Sequence, residues 1–212
     1  SATTGASGRA PWAGAFWTAL SRSFFPIDRR GRARRMKSLA ASHCVLEPLV
    51  AAHAREMFSV LADPAIYEFE NSPPINEEWL TERYKCLESR SSGDGTEQWL
   101  NWVIRLPGGR LAGYVQATVL PDHTSFVAYE INSQYWRQGV GSSAVGVVLQ
   151  ELQEEYGVKM FVAVLKAKNY RSEGMLRKLG FVQAGKEEEA RYRDETDEIV
   201  MVKASSGASS AA

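Results

Sequence analysis

Residues 133–141 read Ser-Gln-Tyr-Trp-Arg-Gln-Gly-Val-Gly and lie between a strand-like run, Phe126 to Asn132, and a helical one in which Val145, Val148, Leu149, Leu152 and Tyr156 recur on one side. Gly139 and Gly141 allow the main chain to turn tightly and bring successive N–H groups close to an anion, because no Cβ blocks the approach. The positive end of the following helix adds to that attraction, and a pyrophosphate is the natural guest. Two glycines at such a junction also serve simply as a tight turn. Two familiar phosphate loops are excluded: no Lys-Ser/Thr follows the glycines, and no third glycine with a downstream ribose-binding acid is present.

Outward from this loop the pattern alternates between strand and helix. Upstream, Val45 to Leu49 reads as a strand and Ala54, Met57, Phe58 and Leu61 as one face of a helix stopped by Asp63-Pro64. After the 71–74 loop, Asn76 can cap a second helix lined by Trp79, Leu80, Arg83, Tyr84 and Leu87, which ends at the Ser-Ser-Gly-Asp-Gly break of 91–95. Trp99 to Leu106 and Leu111 to Leu120 form a hairpin around Pro107-Gly108-Gly109. Downstream, Met160 to Leu165 is apolar at every position, as expected of a central strand covered on both faces. Asn169 can cap a helix with Met175, Leu176 and Leu179 inward, and Gly180 is placed to end it in a left-handed conformation. Phe181 begins one further strand and Ile199 to Val202 the last. The order is β-α-α-β-β-β-α-β-α-β-β, a mixed α/β fold.

The chain has 212 residues, 25 Lys+Arg against 25 Asp+Glu, 44% hydrophobic and 24% charged, the make-up of a soluble globular protein. A single domain over 36–203 can bury roughly 70% of its unfolded surface without staples. Cys44 and Cys86 fit neither a metal spacing nor a disulfide framework, so a metal is not expected and a reducing, cytoplasmic setting is. The apolar run around Val145 to Leu149 falls well short of the roughly 20 residues of a membrane helix.

Residues 1–35 are different material. They carry seven arginines against Asp28 alone, a net of +6, which leaves −6 for residues 36–212. The first methionine is Met36, and three readings of the basic extension stand side by side: vector-derived or upstream-frame residues ahead of a start at Met36, an acid-poor targeting segment, or a phosphate-binding or nuclear-import patch from Arg29 to Lys37. Residues 204–212 read as a flexible tail.

The stretch Tyr135-Trp-Arg-Gln-Gly-Val-Gly141, with Asn169-Tyr-Arg-Ser172 and Arg177-Lys-Leu-Gly-Phe181, resembles the GNAT superfamily of acetyl-CoA-dependent N-acetyltransferases. Ala128-Tyr-Glu-Ile-Asn-Ser-Gln-Tyr-Trp136 is similar to a stretch of the RimJ/RimL-type branch, and Leu46-Glu-Pro-Leu49, Leu61-Ala-Asp-Pro64 and Ser72-Pro-Pro-Ile-Asn-Glu-Glu78 echo its N-terminal half. The similarity covers about 43–203. It implies a mixed, mostly antiparallel GNAT-like sheet flanked by helices in one domain. It implies too that Ile131, Asn132, Arg137, Gln138, Gly139, Val140, Gly141 and Ser142 hold the coenzyme's diphosphate end, with Asn169 and Ser172 along its pantetheine arm. Departures are equally clear: Trp136 stands at the first position of the loop, Glu47 where the branch places an arginine, and Leu176 where many relatives place a tyrosine general acid, which removes that tyrosine as the acid.

Acyl transfer from a thioester needs a neutral amine, a donor for the developing oxyanion and a proton for the leaving thiolate. The resemblance implies a main-chain donor near Glu130 to Asn132 and a role for Ser172 beside the sulfur. As base, Glu130 is the first choice, since it lies on the strand entering the loop. Glu70 and Glu68, in the loop facing the acceptor side, are the next. The glutamate that some relatives use aligns with Phe126. His123, in a turn, and His53 read as surface histidines, and Arg171 as a contact to the nucleotide's extra phosphate. Trp79, Trp99, Trp102 and Tyr67 serve either an acceptor pocket or the core. The seven acids within Glu187 to Glu198 form either a solvated hairpin or a negative strip that draws in a cationic amine.

The expected activity is transfer of acetyl from acetyl-CoA to a primary amine, a protein or peptide α-amine or a small molecule, with a homodimer possible in principle and no membrane partner. Two rivals remain open at this level: a CoA-binding regulatory protein without turnover, and a nucleic-acid binder acting through residues 1–35.

Overall fold

The computed structural model describes residues 36–205; the basic extension 1–35, with its competing readings, and residues 206–212 lie outside the described residues. Period-two burial builds the sheet: β1 (Leu39–Ala40), β2 (Val45–Pro48), β3 (Gln98–Arg105), β4 (Leu111–Val119), β5 (Thr124–Ile131), β6 (Met160–Lys166), β7 (Val182–Gln183) and β8 (Glu198–Ala204). Their order is β1-β2-β3-β4-β5-β6-β8-β7, antiparallel everywhere except where β5 meets β6. This is the mixed, mostly antiparallel sheet expected from the sequence.

The two faces are covered by different helices. α1 (Ala54–Val60) and α2 (Glu77–Leu87) bury Met57, Leu80, Tyr84 and Leu87 against Val103 and Leu111. Asn76 caps α2 by accepting from the Trp79 N–H at 2.7 Å, as the sequence predicts. On the opposite face, α3 (Val140–Tyr156) and α4 (Tyr170–Lys178) bury Val145, Val148, Leu152 and Leu176 with Trp102, Ile104, Phe161 and Leu165. β6 divides its side chains between the faces, Phe161, Ala163 and Leu165 to one cluster and Val162 to another, which accounts for its unbroken apolar run.

Four local readings are corrected. Residues 187–198 do not form a hairpin: Lys186–Tyr192 is a helix, α5, with Glu187, Glu188 and Glu189 in its first turn, where carboxylates favour the helix dipole. Tyr192 anchors it, edge-on to Phe126 at 5.5 Å. The strand after Phe181 is only two residues long, and β1 was not legible at all. His53 is not a surface group; its side chain is 15% exposed, sits 3.4 Å from Glu47 and accepts the Val50 N–H through Nδ1. Ala204 and Ser205 are not tail: Ala204 closes β8, and the buried Ser205 donates its N–H to the Lys159 carbonyl.

The Glu47 departure also finds its reason. Glu47 accepts from Arg105 Nε at 2.7 Å, and Arg105 reaches Glu56 as well, so the cation of this cluster comes from β3. No helix among the described residues is long and apolar enough to cross a membrane.

Candidate active site

β5 and β6 run parallel and pair only from Thr124–Phe126 to Met160–Val162. Beyond that point they part, while β5 keeps its ladder with β4 as far as Ile131. Parting strands leave main-chain groups without a neighbour. The Asn132 N–H bonds the Ala112 carbonyl at 2.9 Å, which sets the phase of the antiparallel ladder. By alternation the N–H groups of Tyr129 and Ile131 point away from β4, into the gap. The gap opens into a cleft of about 590 Å³ lined by Tyr129, Glu130 and Ile131 on one side and Ala163, Val164 and Leu165 on the other.

The 133–141 loop closes one end of the cleft. Asn132 starts a short 3-10 turn, Ser133–Tyr135, by accepting the Gln134 N–H, and Trp136 Nε1 donates to the Ile131 carbonyl at 2.7 Å. Gly139 has φ +81, a left-handed conformation that a side chain resists, and α3 begins immediately after it. At Gly141 the constraint is steric: a Cβ there would stand 2.8 Å from Ile131 Cδ1 and 2.9 Å from Met175 Sδ. That glycine lets the start of α3 pack onto β5 and α4, a reason distinct from the open approach to an anion. The first N–H groups of α3 lack helical acceptors by the geometry of any helix start.

The loop residues divide by role. Arg137, Gly139, Gly141 and Ser142 line the cleft together with Ile131. Val140 turns its side chain into the core, so only its main chain is available. Gln138 points back to the Gln134 carbonyl at 2.6 Å. Asn132 does not line the cleft: its amide holds the Val60 carbonyl and its N–H belongs to the β4 ladder, so its part is structural.

α4 forms the opposite wall. Asn169 Oδ1 caps it through the Ser172 N–H at 3.1 Å, and both residues line the cleft. The Ser172 hydroxyl lies 2.7 Å from the Tyr129 hydroxyl. Burial first, and Glu70 in addition, push the Tyr129 pKa up to about 12, against the Ser172 bond that draws it down. Tyr129 escaped the sequence reading, although it adjoins Glu130 in the stretch that carries the resemblance. Leu176 is buried and lines the cleft.

Glu130 points to the other face of the sheet, beside its ladder partner Tyr114. Burial pushes its carboxyl up to about 7. The Tyr114 hydroxyl and the Asn71 amide, at 3.3 Å, pull it down by hydrogen bonding, while Glu70 raises it. Glu130, Tyr114, Gln116 and Asn71 belong at once to the main cleft and to a second cavity of about 110 Å³, which is also lined by Tyr67, Trp79, Arg83, Tyr84 and Asn101. The Tyr84 hydroxyl in this second cavity is buried with no hydrogen-bond partner among the described residues. Tyr67 and Trp79 thus line this second cavity, whereas Trp102 is core, and Trp99 packs on the α2 cluster with its indole N–H on Glu97.

The remaining candidates separate cleanly. Glu70 lines the cleft, and burial raises its pKa, with Lys166 opposing and Glu198, Glu195 and Asp197 reinforcing the rise. Glu68 is bound in an ion pair to Arg171, so Arg171 is engaged within the protein. His123 sits in the 121–124 turn with φ +66 and outside the cleft lining, and Phe126 packs against α5. None of residues 187–198 lines either cavity, although Glu195 and Asp197 pair with Lys166 close to Glu70.

The model of one protein family, described as an acetyltransferase (GNAT) domain, matches residues 43–182. No match was found among curated proteins. Among solved structures, the ribosomal-protein-S5-alanine acetyltransferase of Vibrio fischeri shares 20% identity, with TM-score 0.66, over 81% of this chain and 98% of its own. RimL, a ribosomal L7/L12 alpha-N-protein acetyltransferase solved with coenzyme A, shares 14%, with TM-score 0.66, over 79% and 98%. A GNAT-family acetyltransferase of Bacillus anthracis shares 16%, with TM-score 0.62, over 79% and 98%. At these identities the likeness is one of fold.

Proposed function

The chain belongs to the GNAT acetyltransferases, and from that premise we propose that it carries the acetyl group of acetyl-CoA to a primary amine by direct attack in a ternary complex. The observation that carries the reading is Glu130, standing on the wall common to the large cleft and the smaller cavity, where an acyl group and an amine can meet from two sides. A cleft of about 590 Å³ suits an elongated coenzyme arm.

The residues present fit the donor. The main chain of 139–142, the N-terminal end of α3 and the Arg137 side chain would hold its diphosphate, and Asn169 the amides of its pantetheine arm. Acetyl-CoA, when bound, supplies a thioester-activated acetyl group. The N–H groups of Tyr129 and Ile131 are aimed where negative charge develops on the acyl oxygen. Glu130 accepts the proton of the attacking amine, directly or through water, its basicity kept high by burial first and by the neighbouring Glu70 carboxylate in addition. The Ser172 hydroxyl, backed by Tyr129, donates a proton to the departing sulfur. Side-by-side binding of the two reactants contributes much of the acceleration.

The Tyr135-Trp136 pair and the 128–136 stretch support the RimJ/RimL-type branch, and the ribosomal-protein acetyltransferases among the structural neighbours make a protein α-amino group the first acceptor to try, ahead of small amines. The free thiols of Cys44 and Cys86 accord with a reducing, cytoplasmic setting. Coenzyme release measured against a panel of N-terminal peptides and small amines, with acetyl-CoA binding followed by calorimetry, tests the proposal. Saturable binding without turnover on any acceptor would leave only a coenzyme-binding regulator.

A further inference from the structure

Three aromatic rings surround one guanidinium at the cleft. Arg171, on α4, lies 4.6 Å from the ring centre of Trp136, 5.1 Å from Phe69 and 5.2 Å from Tyr170, and its Nη2 is paired with Glu68. Phe69 also meets Tyr170 edge-on at 6.3 Å. These groups come from three places far apart in the chain: the loop that follows Tyr67, the turn that follows β5, and the start of α4. A planar cation among aromatic faces, with an acid at its edge, fixes direction as well as contact, which a lysine would not.

The loop gripped in this way continues to Asn71. That residue has φ +67, and its amide donates to Glu130 Oε1 at 3.3 Å. A short run therefore leads from the coenzyme wall, through Glu68 and Phe69, to the carboxylate on the opposite face of the sheet. We infer that Arg171 is a positioning residue, which clamps the 68–71 loop from across the cleft so that the Asn71 amide orients the Glu130 carboxylate. This rests on the proposed role of Glu130 as the base.

Other groups also face that carboxylate: Tyr114 from β4, Tyr67 from the 3-10 turn after Asp63, Tyr84 and Arg83 from α2, and Glu70 from the loop itself. Of these, Glu70 alone lies in the clamped loop with Asn71. Deleting the Asn71 donor alone makes the carboxylate protonate at higher pH, whereas releasing the whole loop also withdraws Glu70, whose charge acts in the opposite direction and outweighs the Asn71 bond.

The test compares Asn71→Gly, which keeps the left-handed backbone and deletes the amide, with Arg171→Met and Arg171→Lys. In Asn71→Gly the acid limb of the kcat profile should move to higher pH by about half a unit or more; in Arg171→Met, which frees Glu70 as well, it should move to lower pH; and in both the plateau kcat should fall roughly threefold to tenfold. The KM for acetyl-CoA should stay within about twofold. Arg171→Lys should fall between Arg171→Met and the parent. An unmoved limb in Asn71→Gly and Arg171→Met, or a rise in the KM for acetyl-CoA as the sole change in Arg171→Met, would overturn the inference. Glu130→Gln separates the two levels. If the acid limb survives in Glu130→Gln, the base assignment fails and the clamp with it. If Glu130→Gln abolishes the limb while the Asn71 and Arg171 variants leave it in place, the clamp alone fails.

Discussion

The hydroxyls of Tyr129 on β5 and Ser172 on α4 are 2.7 Å apart, joining the two walls of the cleft where the sheet divides. On the proposed mechanism, one oxygen of this pair gives up its proton to the leaving sulfur while the other re-supplies it.

This pair predicts a specific pattern of losses. Ser172→Ala should lower kcat by about tenfold to a hundredfold and Tyr129→Phe by less, with little change in the KM for acetyl-CoA, as expected when an interaction belongs to the transition state. The double variant should be no worse than Ser172→Ala, because both act on one proton. Steady-state kinetics on the three proteins decide it, and full additivity would break the pair into independent contacts.

Glu130 has a signature in stability as well as in rate. Its carboxyl stands at about 7 in the fold against an ordinary 4.5, so the folded protein holds this proton more tightly than the unfolded chain. Its contribution is thus most favourable below pH 4.5 and is lost as pH rises through about 7. Glu130→Gln, which stays neutral, should raise unfolding stability on the order of 1–2 kcal/mol at pH 8 and change it little at pH 4.5, while removing the acid limb of activity. Urea unfolding at the two pH values reads the first effect and a pH–rate profile the second.

The two loop glycines should fail in different ways. Gly139→Ala forces a side chain into φ +81 beside the His43 ring and should cost about 1–2 kcal/mol through the backbone. Gly141→Val presses on Ile131 and Met175 and should cost about 1–3 kcal/mol through overpacking, and it should raise the KM for acetyl-CoA well above that for the amine. Thermal unfolding with paired KM measurements separates these effects. An equal rise in both KM values for Gly141→Val would contradict the diphosphate role.

Arg105 holds Glu47 below the usual carboxylate range, against the opposing effect of burial. The sign is opposite to that of Glu130: the stabilisation is present above the ordinary carboxylate pKa and fades as pH falls through the lowered value. Glu47→Ala should destabilise by about 1 kcal/mol at pH 7, given that both partners are partly solvated, and by less near pH 3. Denaturant midpoints measured at both pH values check the direction.

Much of this protein is written locally. Asn76 and Asn169 cap the helices they precede, Gly180 takes φ +87 at the end of α4, and the 107–109 turn joins β3 to β4, because each depends on a residue's own conformational preferences and on neighbours a few positions away. The residues of the 133–141 loop fall in the same class, being contiguous. α5 was missed because a seven-residue helix rich in glutamate has no periodic apolar face; one tyrosine against Phe126 anchors it.

What folding alone decided is the company each chemical group keeps. Glu130 is an ordinary glutamate until β4 sets Tyr114 beside it and the loop brings Asn71, 59 positions away in the chain. Ser172 meets Tyr129 across 43 residues, and Arg171 meets Glu68 across 103. A residue's type sets which bonds it can make, and short-range spacing sets the helix or strand that carries it. The partner and the surrounding dielectric depend on how strands pair and where β5 and β6 part, and those are properties of the packed sheet rather than of any short stretch of chain.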